Sequence, residues 1–378
     1  MAPETVNAAG GRLTFQEQLK LIELPSVAYE GSLVKRFMSQ RAAYVPGSDL
    51  PVTNGSTSGG LQTFVHKAAY GGHVYSQAGL AASKTFAMTR GKTLGATASS
   101  SFGIHTIHGY FSEAGLSDRP FIYEVTVIAE NRSFHNFLVK VRQPTRPSVG
   151  AEGDHFPLED SEQTLGPVCF SALVSFRPAT ASQVKVQSPS AQTRYAEILS
   201  LRPTWAWDPA PLVDIAGIIA ALETSKLVGT FPIVDMRKVD MTAFNEGKPL
   251  HERRELLLYR LLAPLPDADP DAHILAHAFE ADRNGLLMIG NHVGLGFSYG
   301  RAASLSYSFV VHVNPSDAVM KFGEDEWWIQ EAIFPRVEAG RGIIMSKIWS
   351  PGGIHVATEY QDGIIQRQFR PGERQGKL

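Results

Sequence analysis

Gly296-Phe297-Ser298-Tyr299-Gly300 has the G-x-S-x-G spacing of a nucleophile elbow, where a serine sits on a tight turn between a strand and a helix. Leu286 to Ile289 reads as the strand. However, GNHVGLG then reads as loop and Ser304 onward as β, so the setting for a triad with a later acid and His312 or His355 is missing. The one cysteine, Cys169, lies in the apolar run VCFSALVSF, which predicts a buried, inert thiol. His105 and His108 are three apart in a strand-like segment; on opposite faces they cannot chelate one metal. Asp267, Asp269 and Asp271 mimic the opening of a calcium loop, but Pro270 interrupts it and the required glycine and distal glutamate are absent. No metal site and no cofactor is expected. Trp327-Trp328 reads as sheet core plus rim, with substrate contact as the alternative reading. Gly71-Gly72 is different in kind: it opens a helical segment, where free N–H groups and a partial positive charge suit a developing oxyanion and the missing side chains let a carbonyl approach.

These residues need a scaffold, and the composition says what sort. At 378 residues the chain exceeds what one hydrophobic core usually serves, so two domains are expected. Hydrophobic residues make up 43% and charged residues 19%, the balance of a well-packed globular protein. A net charge of -2 leaves no basic field for a nucleic acid backbone and no polybasic run for an anionic membrane. A lone cysteine allows no intrachain disulfide, which points to a reducing compartment. The opening MAPETVNAAGG lacks a basic and an apolar region, so no signal peptide is expected, and no apolar run reaches the roughly 20 residues of a membrane span. A cytoplasmic location follows. Peroxisomal import is the alternative, because the chain ends Gly376-Lys377-Leu378, one residue from S-K-L.

Along the chain, Leu13 to Glu23 has a weak helical period, and residues 45–60 are a Pro/Gly/Ser/Thr/Asn loop. In GGHVYSQAGLAASKTF, Val74, Ala78, Ala81, Ala82 and Thr85 recur at helical spacing and are small, which predicts a central helix packed close against a sheet. Strands are expected at His105–Phe111, Phe121–Ala129, Phe134–Val141 and Val168–Phe176, with a long loop at 144–166. After a Pro-rich connector the order repeats. Pro232–Asp240 and Glu255–Leu262 read as strands. Asp271–Asp282 reads as a helix with Asp271 as its N-cap, and strands follow at Ser304–Val313, Trp327–Ile333, Ile343–Trp349 and His355–Ile365. His108 and His312 precede their next strands by similar intervals, and Asn131-Arg132-Ser133 matches Gly340-Arg341-Gly342 at a turn, which suggests duplication. Two halves are expected, at 13–178 and 179–378.

A helix wrapped by an antiparallel sheet, twice over, is the double hotdog arrangement, of α+β class. The sequence also resembles the acyl-CoA thioesterase II family at particular segments. Tyr70 to Ala78 (YGGHVYSQA) resembles its FGGQ-type helix start, and His108 to Phe111, Pro120 to Val125 and Asn131 to Phe134 resemble its H-x-Y-F…P-I-x-Y-x-V…G-x-S-F run. Ala281-Asp282-Arg283-Asn284 resembles its S-D-x-N, Ser304 to Ser308 its T-I-D-H-S, and Gln361-Asp362-Gly363 its Q-E-G. The matches run in order through most of residues 15–367.

The resemblance implies hydrolysis of acyl-CoA, or another pantetheine-linked acyl thioester, by a water held between Asp282, Ser304 and Gln361. Asp282 would be the general base, with Gly71, Gly72 and His73 at the substrate. Such residues suit the task, since a thioester has a good leaving group and needs only a positioned water and a base. Ser304 stands where the family has Thr, Ser306 where it has Asp, and Tyr307 where it has His, so one carboxylate is gone. Two rival readings remain open. One is a hotdog lyase or tailoring enzyme on a polyketide-like acyl group, although no D-x-x-x-x-H-like motif is present. The other is a non-catalytic acyl-binding module. Insertions at 45–60, 144–166 and 183–211 exceed the family's usual connections, and further homo-oligomerisation through edge strands is compatible with the fold.

Overall fold

The computed structural model describes residues 12–29, 31–47, 68–90, 102–150, 155–211, 214–215, 231–295 and 299–367. Thr14 caps a single helical turn, Phe15–Gln18. The helix expected to run on to Glu23 stops there, because Leu21–Tyr29 (β1) pairs with Ser32–Ser39 (β2) instead. Four residues are a weak helical nucleus, and Pro25 cannot sit in a helix interior; it is accommodated at an irregularity of this outermost strand. The long central helix Gly71–Arg90 (α1) follows, then strands Phe102–Phe111 (β3), Ile122–Glu130 (β4), His135–Pro144 (β5) and Leu165–Pro178 (β6).

The second half contributes Asp208–Pro209 (β7), Val234–Lys238 (β8), Arg254–Leu261 (β9), helices Pro270–Ala281 (α2) and Gly285–His292 (α3), and strands Tyr299–Val311 (β10), Trp328–Glu338 (β11), Arg341–Trp349 (β12) and His355–Arg367 (β13). Two expectations are corrected here. Asp269, not Asp271, caps α2, with Pro270 at the first turn, where its missing N–H costs nothing. Asp271 turns inward instead and accepts from Ile104 N at 2.8 Å and from the Ser83 hydroxyl at 2.5 Å. Leu286 to Ile289, expected as a strand, lies inside α3; a short apolar run fits either element until its packing decides.

The strands of the described residues join in one antiparallel sheet of 13, ordered β1-β2-β4-β5-β6-β3-β10-β13-β12-β11-β9-β8-β7. Outward from the centre, β3-β6-β5-β4-β2 on one side is matched by β10-β13-β12-β11-β9 on the other. Each half lays the same path around its own helix, and the two sheets meet edge to edge at β3 and β10, with Ser308 opposite His108. The architecture is an α+β double hotdog. The helices run antiparallel and touch along their length: Ser76 Oγ bonds Leu275 O at 3.2 Å, and a side chain at Gly79 would meet Leu275 at 2.5 Å. This is what the run of small residues in α1 permits. Trp207, Trp327 and Trp349 form a second, smaller core, closed by the Arg194–Glu331 ion pair.

A register shift between Ile104 and Thr106 puts one extra residue into β3. Ile104 and Ile107 are both buried in consequence, and His105 is left half-buried, its pKa lowered first by burial and then by the charges of Arg177, His108 and His312. The opposite-face expectation for His105 and His108 therefore fails. Among the described residues, no group of histidines, cysteines and acids is arranged to hold a metal ion. Residues 296–298 of the G-x-S-x-G match lie outside the described residues, and β10 rather than the required helix follows them. The terminal Gly376-Lys377-Leu378 also lies outside them. No described helix is long and apolar enough to cross a membrane.

Leu275 has no exposed surface, whereas Leu33 on β2 is 61% exposed. We expect Leu275→Ala to lower unfolding free energy by about 2–5 kcal/mol and Leu33→Ala to change it by about 0.5 kcal/mol or less. Urea denaturation followed by tryptophan fluorescence checks this; equal costs would show that the helix contact is not the core.

Candidate active site

Asp282 is the residue that ends α2, and the antiparallel contact carries its carboxylate to the beginning of α1. Its Oδ2 accepts from Gly72 N at 2.6 Å, while Oδ1 accepts from the Gln361 side-chain amide. The same Gln361 nitrogen donates to Ser304 Oγ at 2.8 Å. One amide thus uses both hydrogens to hold a carboxylate and a hydroxyl together. Ser304, Asp282 and Gln361, far apart in the chain, form one contiguous polar group.

Each is aimed by a specific local feature. Gln361 and Glu359 alternate inward along β13 with the half-exposed Tyr360 between them. Ser304 reaches Gln361 because β10 carries a bulge: Ser304 pairs with Gly363 and Ser306 with Asp362, leaving Leu305 without an opposite number. The extra residue turns Ser304 inward although buried Tyr307 lies an odd number of positions further along. Ser306 does not line the adjoining cavity. Asn284, in the left-handed conformation at φ 58, makes the sharp turn from α2 into α3 and bonds Pro211 O. A side chain at Gly285, the next residue, would meet Gln361 Oε1 at 2.9 Å.

Burial and hydrogen bonding act on Asp282 in opposite directions. Desolvation raises its pKa, the Gly72 N–H and Gln361 amide lower it, and burial wins: the group sits at about 7 instead of 3.8. The N-terminal end of α1 adds partial positive charge against the carboxylate. Glu280 and Glu359, both without exposed surface, are held well above the usual carboxylate range by burial. Asp282 is the buried acid of this trio that titrates near neutrality.

Beside these groups lies a cavity of about 500 Å³, lined by Gly71, Asp282, Ser304 and Gln361 together with mostly apolar side chains. Gly71 is the cavity's approach to the helix start. A methyl group there would lie 2.8 Å from Asp282 Oδ2, and one at Gly72 would strike the Tyr70 ring at 2.7 Å and Phe279 O at 2.8 Å. Two expectations change. The Gly72 N–H is not free for a substrate, because it is given to Asp282. His73 does not reach the cavity: its ring is fully buried, meets the Gln18 amide at 3.3 Å through Nδ1, and burial lowers its pKa to about 3. One helical position beyond Gly72 points into the core, where a neutral histidine serves packing.

Cys169, at the cavity's edge, is the inert thiol expected, since burial pushes it to about 12. Trp327 and Trp328 do not line this cavity. Tyr70, Phe111, Phe231 and Arg283 do, and were not singled out from sequence. Tyr70 adjoins the glycine pair and Arg283 adjoins Asp282, so proximity to those segments was the available signal. Arg283 is spent on structure, bonding Ala210 O and Pro211 O and lying over the Phe231 ring at 4.0 Å.

Residues 62–177 match the profile of the acyl-CoA thioesterase N-terminal domain. Among curated proteins the sequence finds no match. Among solved structures, the chain resembles the acyl-CoA thioesterase II TesB2 of Mycobacterium marinum at 20% identity and a TM-score of 0.56, covering 94% of this chain and 98% of that one. A tesB protein of Mycobacterium avium subs paratuberculosis is similar at 17% identity and 0.54, covering 93% and 98%. A hot dog fold protein from Alicyclobacillus acidocaldarius aligns at 13% and 0.50, covering 93% and 97%. At these identities the likeness establishes the fold.

The raised pKa of Asp282 has a sign that can be tested by stability. Between about 4 and 7 the folded state keeps a proton that the unfolded chain releases, so this group's contribution falls as pH rises through that window. Above it the penalty levels off, on the order of 4 kcal/mol. Asp282→Asn should flatten the decline and be the more stable protein at pH 8. Denaturant midpoints from pH 4 to 8 check this, and parallel curves for the two proteins would refute the buried ionisation.

Proposed function

From a chain whose residues 62–177 match the acyl-CoA thioesterase N-terminal domain, and whose described length has the double hotdog fold, we propose an acyl-CoA thioesterase in which Asp282, Ser304 and Gln361 hold and activate the attacking water. The observation that carries this reading is one amide nitrogen, that of Gln361, bonded to both the buried Asp282 carboxylate and the Ser304 hydroxyl at the wall of an apolar cavity.

The acyl thioester lies in the cavity with its carbonyl oxygen toward α1. Water donates one hydrogen to Asp282 and is oriented by Ser304. As it attacks, its proton passes to Asp282 and the carbonyl electrons move to oxygen. General-base help of this kind is worth about 10²–10⁴-fold. Because Gly72 holds the base, the oxyanion is left to the N–H of Gly71, whose place in the first helical turn gives it no acceptor within the helix. The tetrahedral intermediate then collapses: the C–S bond breaks, Asp282 returns its proton to the leaving thiolate, and free acid and thiol depart. No covalent intermediate is needed. Ser306 does not enter, so the loss of the family's carboxylate at that position leaves the base intact.

Purified protein mixed with a panel of acyl-CoAs and a chromogenic disulfide reagent should release thiol. The log of kcat/KM should climb with pH and level off above about 7, following deprotonation of Asp282. Asp282→Asn should lower kcat by about 10²–10⁴-fold. Release of no thiol from any chain length would end the hydrolase reading, and release unaffected by Asp282→Asn would end the assignment of the base.

A further inference from the structure

The cavity beside Asp282 has two unlike walls. One is aromatic, made by Tyr44, Tyr70, Phe111, Phe121, Phe170 and Phe231. The other is aliphatic, made by Leu286, Leu287, Leu305 and Ile364 from α3, β10 and β13, and the exposed Arg301 lines the cavity next to it in sequence. Two groups of these rings are in contact, Tyr44 and Tyr70 with Phe231, and Phe111 with Phe170. Tyr44 and Phe231 have centroids 5.4 Å apart at 84°, and Tyr70 and Phe231 lie 5.6 Å apart at 77°. Phe111 and Phe170 are tilted at 45° with centroids 4.7 Å apart. Such a wall presents both electron-rich faces and electron-poor edges, and a guest ring gains contacts that a saturated chain of equal size does not.

Position sharpens the argument. Phe111 is only part-buried, and its Cζ lies 3.2 Å from where a Gly71 side chain would begin, beside the helix start and Asp282. Acyl atoms just beyond a carbonyl seated there meet an arene first. The aliphatic residues, with Arg301 also on the lining of the cavity, suit the flexible arm and phosphates of a thiol carrier. We infer that the acyl group this site prefers carries an aromatic ring close to the carbonyl, as in an arylacetyl thioester, over a straight-chain acyl group of the same size. The placement of the carbonyl rests on the thioesterase reading; the binding preference of the wall does not.

The test compares phenylacetyl-CoA with octanoyl-CoA, which have the same number of acyl carbons, by kcat/KM and by calorimetric Kd of their non-hydrolysable thioether ketone analogues. One ring pair corresponds to about 2–12-fold, so the aryl compound should lead by about fivefold or more in both measurements. In Phe111→Leu the ratio should fall toward one, and Tyr44→Leu makes the same test should that variant not fold. Equal or better binding and turnover of the octanoyl compounds would overturn the inference while leaving the hydrolase reading in place. Tighter binding of the aryl analogue with no thiol released from either substrate would support the wall's preference and sink the hydrolase instead.

Discussion

Everything in the site depends on the end of one helix being able to touch the beginning of another. Asp282 can accept the Gly72 N–H at 2.6 Å only because α1 and α2 lie in contact, and they lie in contact because α1 presents glycine, alanine and serine where larger residues would hold them apart. Tyr70 reinforces the contact by donating its hydroxyl to Phe279 O at 2.6 Å. Gly71 and Gly72 are constrained for the same reason, since a methyl group at either would enter space held by the carboxylate or by Tyr70. Packing and chemistry are set here by the same few atoms.

The electrostatic arrangement follows from that closeness. A carboxylate out of water needs compensation, and the described residues around Asp282 offer it neutral donors rather than a cation. The guanidinium of the next residue in the chain, Arg283, is engaged with backbone oxygens and the Phe231 ring. Two N–H donors are enough to let the acid ionise near neutrality and too little to hold it ionised at its ordinary value. A carboxyl group that titrates at about 7 is the result, at a cost in stability whenever it is charged.

Much of this was legible in sequence because it depends on local pattern. The small-residue helix, the meanders on both sides and the order of the motifs follow from periodicity and turn residues, and the resemblance alone groups Asp282, Ser304 and Gln361. What was not legible depends on pairing between distant segments. The bulges at His105 and Leu305 change which way Ser304 and the histidines face, yet they are properties of register with a partner strand. β1 and β2 were missed because they form an edge pair whose outer strand is irregular around Pro25. His73 was placed at the substrate by adjacency to the glycines, but one step along a helix turns a side chain by about 100°, enough to take it from cavity to core.

The repeated path of the chain implies two equivalent helix starts, and only the first is left open. Where α1 begins with two glycines, α2 begins with Asp269-Pro270: the aspartate accepts from Ala272 N, and the proline has no N–H to offer. Asp271 at that end is bound to Ser83 and to the backbone of β3, as an internal strut. The two ends of the same helix pair are thus built differently. Among the described residues, one end of the pair is closed by its cap and strut, and the other is where the Asp282, Ser304 and Gln361 group meets the cavity.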